Sequence, residues 1–174
     1  MTQEAFIKVL NRNKYPYRIE GDKIIVTYTT RLRSVDLTLL RSLPPGVVFE
    51  NNGHVWLDSL TSLPPGVEFK NRGDVVLDSL GNLSSAVVFE NNGNVDLPLL
   101  TSLTLGVEFS NEGYIDLRAL TSIPSSAKFN NRGYVDLKSL VGDYFGRWRG
   151  RVGIEGIGPN RLLNIMISKG LFER

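Results

Sequence analysis

The stretch that decides the fold is LPPGVVFENNGHVWLDSLTS, residues 43–62, which is followed at once by LPPGVEFKNRGDVVLDSLGN, residues 63–82. Three further copies of this twenty-residue unit run to Gly142, and a worn copy before them keeps Val35, Leu37 and Leu40. Eight columns hold the same kind of residue in all five full units, and they begin at Leu43, Val47, Phe49, Asn51, Gly53, Val55, Leu57 and Leu60. Self-similarity at a fixed period of this length is typical of proteins whose repeats stack on one another.

Each unit contains two short alternating stretches, V-x-F and V-x-L, separated by the turn signal N-x-G. Alternation with a period of two predicts strands that bury one side, and the glycine of N-x-G is expected to adopt a positive φ. Apolar residues then recur at every third position, at Leu57, Leu60 and Leu63. That spacing favours a bend or a 3₁₀-like corner over a full helix, and the Pro-Pro-Gly sequence that begins at Pro44 predicts the next corner.

We therefore predict a mainly β fold, a parallel β-solenoid of about six coils over residues 35–142, within a single domain of residues 1–174. Neighbouring coils would pair strand with strand at about 4.8 Å, and the phenylalanine column would form a buried spine. The asparagine column has two interpretations. It is either a ladder in which each side chain bonds the backbone of a neighbouring turn, or a row that contacts a ligand.

Both ends of an open solenoid expose core and strand edges, so that a cap is expected at each end. Residues 1–34 predict an N-terminal cap: a helix that Thr2 caps and that runs to about Asn13, then a hairpin that turns at Glu20-Gly21-Asp22. Residues 143–174 predict a helical C-terminal cap, in which Pro159 lies in the first turn of a helix and Gly170 ends it.

The unit resembles the short, twenty-residue leucine-rich repeats of bacteria. The V-x-L-x-x-L-x-x-L-P stretch that begins at Val55 and reaches Pro64 carries the resemblance. The chain departs from that family because Leu60 stands where the family often has asparagine, and its own asparagine follows V-x-F instead. The resemblance implies a leucine-rich-repeat-like solenoid.

A closer resemblance is to LPxGVxFxNxGxVxLxSL repeat proteins of bacteria and their phages. It extends to the tail segments 154–157 and 161–164. This resemblance implies the solenoid fold, and it implies no particular activity. In a phage protein of this kind, the blocking of a host factor would be a natural form of protein recognition.

Composition excludes several classes of function. The net charge of +2 is too small to indicate a nucleic-acid or membrane partner, and the absence of cysteine excludes disulfides, thiolate catalysis and cysteine-bound metals. No secretory signal begins the sequence and no apolar stretch is long enough to span a bilayer. We therefore expect a cytoplasmic protein, of a bacterium or of a phage-infected host, that does not bind membranes.

The sequence contains no recognisable catalytic constellation. His54 is the single histidine, so a Ser-His or Cys-His nucleophile system and a zinc site lack their second member. Its position in the repeat is variable and faces outward, which indicates a solvated surface residue. We predict that the protein is not an enzyme and needs no cofactor or metal.

One outward column carries aspartate, at Asp36, Asp96, Asp116 and Asp136, and is interrupted by Trp56 and Val76. Three consecutive aspartates about 4.8 Å apart would bind a cation or a basic partner, or would lie on a solvated face where Arg118 and Lys138 neutralise them. A pair of carboxylates for hydrolysis is a further alternative, although a flat sheet offers no enclosed pocket that would raise one pKa.

The leading prediction is a binding module that recognises a protein partner through this outward face. Exposed Trp, Tyr and Arg are the residue types enriched at binding hot spots. The predicted partner-binding residues are Trp56, Asp96, Tyr114, Asp116, Arg118, Tyr134, Asp136 and Lys138.

Two rival functions come from other features. Basic residues that flank an aromatic ring, at Arg147, Trp148, Arg149 and Arg151, would grip phosphate and stack on a base. A self-assembling structural protein, whose coils stack end to end, is the other rival. The sequence leaves the oligomeric state open.

Overall fold

Each twenty-residue unit forms one turn of a parallel β-solenoid, because its two apolar alternations bury one side only when the next unit stacks on them. The computed structural model describes residues 1–31, 33–124 and 126–141. The solenoid has about six turns and is preceded by a helix and a hairpin. The predicted mainly β, parallel solenoid fold is confirmed.

The elements, in chain order, are α1 (Gln3–Arg12), β1 (Tyr17–Glu20), β2 (Lys23–Val26), β3 (Val35–Asp36), β4 (Val47–Phe49), β5 (Val55–Trp56), β6 (Ser62–Leu63), β7 (Glu68–Phe69), β8 (Val75–Val76), β9 (Asn82–Leu83), β10 (Val88–Phe89), β11 (Val95–Asp96), β12 (Glu108–Phe109), β13 (Ile115–Asp116), β14 (Lys128–Phe129), β15 (Val135–Asp136) and α2 (Lys138–Val141).

Two sheets run along the solenoid. The phenylalanine sheet joins the two hairpin strands to the V-x-F strands, in the order β1-β2-β4-β7-β10-β12-β14. The aspartate sheet contains the V-x-L strands, in the order β15-β13-β11-β8-β5-β3. Apart from the antiparallel β1–β2 hairpin, the pairing is parallel, and in the aspartate sheet each residue lies opposite its equivalent twenty residues away, as Asp96 lies opposite Asp116. The repeat period therefore fixes the register.

A third side of each turn was only partly foreseen. The tight corner predicted at Leu57-Leu60-Leu63 is present, since the Leu60 N–H donates to the Leu57 carbonyl at 3.0 Å. Beyond it, β6 and β9 pair in parallel as a small sheet, and Ser102 and Ser122 form an isolated bridge on the same side. The pattern of apolar residues predicts no strand here, because only one apolar residue in each of these segments faces the core.

The core is a continuous apolar column along the solenoid axis. Its spine is a stack of fully buried phenylalanine rings whose centroids lie 4.9–5.2 Å apart, from Phe49 through Phe69, Phe89 and Phe109 to Phe129. Identical rings stack in this way because parallel, in-register strands place the same side chain above itself in each turn.

The asparagine column is a structural ladder. The Asn71 side-chain amide donates to the Gly73 carbonyl at 2.7 Å and to the Gly53 carbonyl of the preceding turn at 3.2 Å. Equivalent bonds recur at Asn51, Asn91 and Asn111. Because these side chains are buried, of the two interpretations the backbone ladder is confirmed, and no asparagine of the column is left on the surface to meet a ligand.

The glycine of N-x-G does not have the positive φ that the sequence predicted. Positive φ occurs instead at the Pro-Pro-Gly corner, at Gly46 and Gly66. Glycine is required in N-x-G because the turns approach closely there: a Cβ on Gly73 would lie 2.5 Å from the backbone carbonyl carbon of Gly53. Close packing between neighbouring turns therefore requires glycine in this column. The turn signal within a single repeat does not reveal that requirement.

The N-terminal cap agrees with the prediction. The Thr2 hydroxyl accepts a hydrogen bond from the Ala5 N–H at 3.2 Å, and α1 buries Phe6 and Leu10 on the first turn. On the exposed edge of β3, the Tyr15 hydroxyl donates to the Asp36 carbonyl and accepts from the Asp36 N–H. This side chain thereby satisfies the strand edge, as the β1–β2 hairpin does for the other sheet.

The predicted helical C-terminal cap, residues 143–174, lies outside the described residues. The last described element is α2, whose four residues follow the final V-x-L strand. In the described part of the chain, no helix is both long and apolar enough to cross a bilayer.

Candidate interaction surface

The outer side of the aspartate sheet carries most of the candidate residues. Strand alternation places every second residue outward, because Val55 and Leu57 are fully buried whereas His54, Trp56 and Asp58 are partly exposed. We call this surface the aspartate face. It consists of three columns, which begin at Ser34, Asp36 and Thr38 and recur every twenty residues up to Tyr134, Asp136 and Lys138.

The first column is a hydrogen-bond ladder between turns. The His54 N–H donates to the Ser34 hydroxyl at 3.1 Å, the Asp74 N–H donates to His54 Nδ1 at 3.1 Å, and the Asn94 N–H donates to Asp74 Oδ1 at 2.7 Å. The Tyr114 N–H then donates to Asn94 Oδ1 at 2.8 Å. The first four side chains of the column are thus polar acceptors, which the sequence alone did not explain.

His54 faces outward as predicted, and it has two roles. Its Nδ1 also lies 3.1 Å from Asp74 Oδ2, but that contact is not an ion pair when Nδ1 accepts from the backbone, since the ring is then neutral. We favour the backbone bond because Ser34, Asp74 and Asn94 make the same bond in their turns. The ring also stacks on Trp56, with centroids 5.3 Å apart.

The aspartate column has a local structural role in three turns. Asp36, Asp116 and Asp136 each accept, through Oδ1, a hydrogen bond from the N–H two residues further on, at 3.0–3.2 Å. An aspartate that bonds its own backbone in this way stabilises the turn that follows the strand. The column is therefore in part a set of turn caps.

The fifth and sixth turns hold an ordered polar cluster. Asp116 is only 3% exposed, and the Arg118 guanidinium binds both of its carboxylate oxygens, which raises the Arg118 pKa. The Tyr114 hydroxyl donates to Asp136 Oδ2 at 3.0 Å. Burial and this hydrogen bond raise the pKa of Tyr114. Arg118 therefore neutralises Asp116 within one turn and not across strands, and Asp116 is buried and not solvated.

Two further predicted residues of these turns are open to solvent. Tyr134 is 50% exposed, and the Lys138 side chain is exposed and forms no ion pair with another described residue. Together with Trp56, they are solvent-accessible groups of the aspartate face.

Asp96 differs from the other aspartates of its column. The residue two positions further on is Pro98, which has no N–H to donate. Its carboxylate consequently makes no hydrogen bond or ion pair with any other described residue, although Asp96 is partly buried. Burial, followed by the charges of Asp116, Asp74 and Asp78, raises the pKa of Asp96.

Three acidic residues of this face are not among the predicted partner-binding residues. Asp58, Asp74 and Asp78 lie in the second and third turns, beside Trp56 and Val76. Asp58 Oδ2 is buried without a hydrogen-bond partner. A count of charge over all outward positions, rather than along the Asp36 column alone, would have found them.

Other candidate sites have no support on this face. Within residues 1–31, 33–124 and 126–141, no group of three or more acidic or histidine side chains is placed to hold a metal ion. The predicted nucleic-acid residues Arg147, Trp148, Arg149 and Arg151 lie outside the described residues.

No family model, no curated protein and no solved structure matches this chain. The resemblance to short leucine-rich repeats and to phage repeat proteins therefore stays a prediction, and the function has to be inferred from the surface itself.

A groove of about 620 Å³ lies at the N-terminal end of the aspartate face. It is bordered by Val9, Arg12 and Tyr15 on the cap side and by Asp36 and Leu39 on the first turn. Leu39 is 88% exposed. The groove thus adjoins the first turn of the aspartate face.

Proposed function

We propose that the protein is a non-enzymatic binding module that recognises a protein partner through the aspartate face. The observation that carries this proposal is the contrast between the two sides of one sheet. Inside, every turn repeats the same Val or Ile and Leu, whereas outside the triplets are His-Trp-Asp, Asp-Val-Asp, Asn-Asp-Pro, Tyr-Asp-Arg and Tyr-Asp-Lys.

The chemistry of the outward residues supports recognition of a protein. Trp56, Tyr114 and Tyr134 supply large side chains of low conformational entropy, which are enriched at protein interfaces. None of the three fills the core, since all are at least partly exposed. A sheet of this kind offers an extended, continuous contact area, as other repeat proteins do.

The geometry also lowers the entropy that binding would cost. Arg118 is held by two bonds to Asp116, and Tyr114 is held by Asp136, so that these side chains are ordered before a partner arrives. Ordering of long side chains at an interface costs about 0.5–1.5 kcal/mol each when it happens on binding. A pre-ordered cluster avoids part of that cost.

The test is affinity capture from a lysate of the native host, with wild type compared against a Trp56→Ser, Tyr134→Ser double variant. We expect a protein that wild type retains and the double variant loses, because both side chains are accessible and neither lies in the core. Circular dichroism and the urea midpoint would establish that the variant keeps its fold.

A matched control is Tyr28→Ser, which removes an exposed tyrosine beyond the end of β2 and off the aspartate face. It should capture the same protein as wild type. Loss of capture by the control, or equal capture by the double variant, would show that the aspartate face is not the recognition surface.

A further inference from the structure

The charge of the aspartate face is opposite in sign to that of the chain. Its three columns contain seven carboxylates and two basic side chains, and therefore a net charge of −5, whereas the whole chain carries +2. An acidic surface attracts partners of positive charge and repels phosphate backbones. The rest of the chain is correspondingly basic, so that the charge is segregated onto this one face.

The negative charge is concentrated in the second to fourth turns. Four aspartates occupy these turns with no basic side chain among them on the face, and they are Asp58, Asp74, Asp78 and Asp96. We call them the acidic patch. In the fifth and sixth turns, by contrast, Arg118 binds Asp116, and Lys138 lies two residues after Asp136.

Three of the four carboxylates of the acidic patch lack partners in the described part of the chain. The side chains of Asp58, Asp78 and Asp96 make no hydrogen bond or ion pair with another described residue, and Asp58 Oδ2 is shielded from solvent. The fourth, Asp74, accepts a hydrogen bond from the Asn94 N–H. A partly buried carboxylate without a hydrogen-bonding partner costs free energy. Asp58 and Asp96 are partly buried, so that this cost applies to both unless a group from outside the chain pairs with them.

An aromatic ring stands within the same patch. Trp56 precedes Asp58 by two residues on the face and lies opposite Val76 in the neighbouring strand. Indole is the aromatic group that attracts a cation most strongly across its face. His54 stacks on Trp56 and so limits the orientations that the indole can adopt.

We infer that the partner presents a basic segment whose arginine or lysine side chains pair with Asp58, Asp78 and Asp96 and lie against Trp56. This inference rests on the proposed function and specifies the chemistry of the partner. Arginine fits best, because its planar guanidinium binds carboxylates through two bonds and stacks on an aromatic ring at the same time.

The test is a fluorescence-anisotropy titration with three labelled peptides of one length, in which serine alternates with arginine, glutamine or glutamate. Wild type should bind the arginine peptide alone, and more weakly as salt is added. An Asp58→Asn, Asp78→Asn, Asp96→Asn variant should bind it about 10-fold more weakly or worse, and Trp56→Leu about 2- to 5-fold more weakly.

The matched control removes three negative charges from the other sheet through Glu50→Gln, Glu90→Gln and Glu108→Gln. It should keep the affinity of wild type to within about 2-fold, since partly screened charges away from the contact contribute little. If the control weakens binding as much as the Asn variant does, the attraction is diffuse and the inference is overturned. The inference also falls if wild type does not bind the arginine peptide, or binds the glutamine peptide equally.

The same variants separate this inference from the proposed function. The protein captured from lysate through Trp56 and Tyr134 is offered to the Asp58→Asn, Asp78→Asn, Asp96→Asn variant. Loss of capture supports a basic partner segment at the acidic patch. Equal capture overturns the basic-partner inference while the proposed function stands, and absence of any face-dependent capture removes the proposed function itself.

Discussion

The outer sides of the two sheets share one interior and one period, yet they differ in how many of their carboxylates are paired with a basic side chain. On the phenylalanine sheet, Glu68 lies 2.6 Å from Lys23 Nζ and 2.7 Å from Lys70 Nζ, and Arg18 lies 2.7 Å from Glu50. On the aspartate face, Asp58, Asp78 and Asp96 have no such partner among the described residues. Stacking alone therefore does not require unpaired charge in every turn, because Glu50, Glu68 and Glu108 of the same solenoid are each paired with a basic side chain.

The two sides also differ in how the surroundings change the pKa of a carboxyl group. The pKa of Glu68 is lowered, since its two lysine partners outweigh the effect of burial, whereas the pKa of Asp96 is raised by burial and by its acidic neighbours. The first carboxylate is stabilised by its surroundings and the second is strained by them. Under the proposed function, the unpaired Asp96 belongs to a surface that binds a partner at some cost in stability.

The largest expected effect on stability comes from a substitution in the buried core that the two sheets share. Phe89→Ala removes a fully buried ring that stacks between Phe69 and Phe109 at 5.1 and 4.9 Å, and should lower the free energy of unfolding by about 3–5 kcal/mol. Urea unfolding measures the loss. The neighbouring exposed Glu90→Ala should change stability by less than about 0.5 kcal/mol, and similar losses for both would contradict a shared buried spine.

The next effect comes from the corner that joins the two sheets. Gly93→Ala would place a Cβ 2.4 Å from the Gly73 carbonyl carbon, so that the turns must separate, at a cost of about 1–3 kcal/mol or more. Gly81→Ala is the control, since a Cβ there meets nothing within 4 Å. If thermal unfolding showed the two variants to be equally stable, the close approach of the turns would be wrong.

A smaller effect compares one carboxylate from each sheet. Neutralising each of them should change the free energy of unfolding with opposite signs. Glu68→Gln removes a carboxylate held by two lysines and should destabilise the protein by about 0.5–1 kcal/mol, whereas Asp96→Asn removes an unpaired one and should stabilise it by about 0.5 kcal/mol. Paired urea titrations at neutral pH resolve the signs. Destabilisation by both would mean that Asp96 has a structural partner.

The smallest effect is the pH dependence of that stabilisation. Because the native pKa of Asp96 is raised, the folded chain binds this proton more tightly than the unfolded chain, and the associated stability is lost as pH rises through the native pKa. The advantage of Asp96→Asn should therefore vanish below the ordinary aspartate pKa of about 3.9 and be complete at neutral pH. Unfolding midpoints of both proteins from acid to neutral pH would test this, and an advantage that grows toward acid would contradict it.

Much of the aspartate face followed from the sequence. Strand alternation placed Trp56, Asp96, Tyr114 and Tyr134 outward, and the repeat put Asp96 and Asp116 side by side. The partners of these groups did not follow, because whether Asp116 binds Arg118 or whether Asp96 binds anything depends on distances across turns. Pro98 was a readable signal for the unpaired Asp96, once the turn-capping role of its column was known.

By itself, the sequence determined the solenoid, its period, the register of its strands and the N-terminal cap. It did so because a twenty-residue unit can bury its apolar columns only by stacking on its own equivalent. The tertiary structure decided the rest: why Gly53 and its equivalents are glycine, which asparagine atoms meet which carbonyls, and which carboxylates remain unpaired. These depend on how closely successive turns approach one another, and a linear pattern contains the order of the turns but not the distances between them.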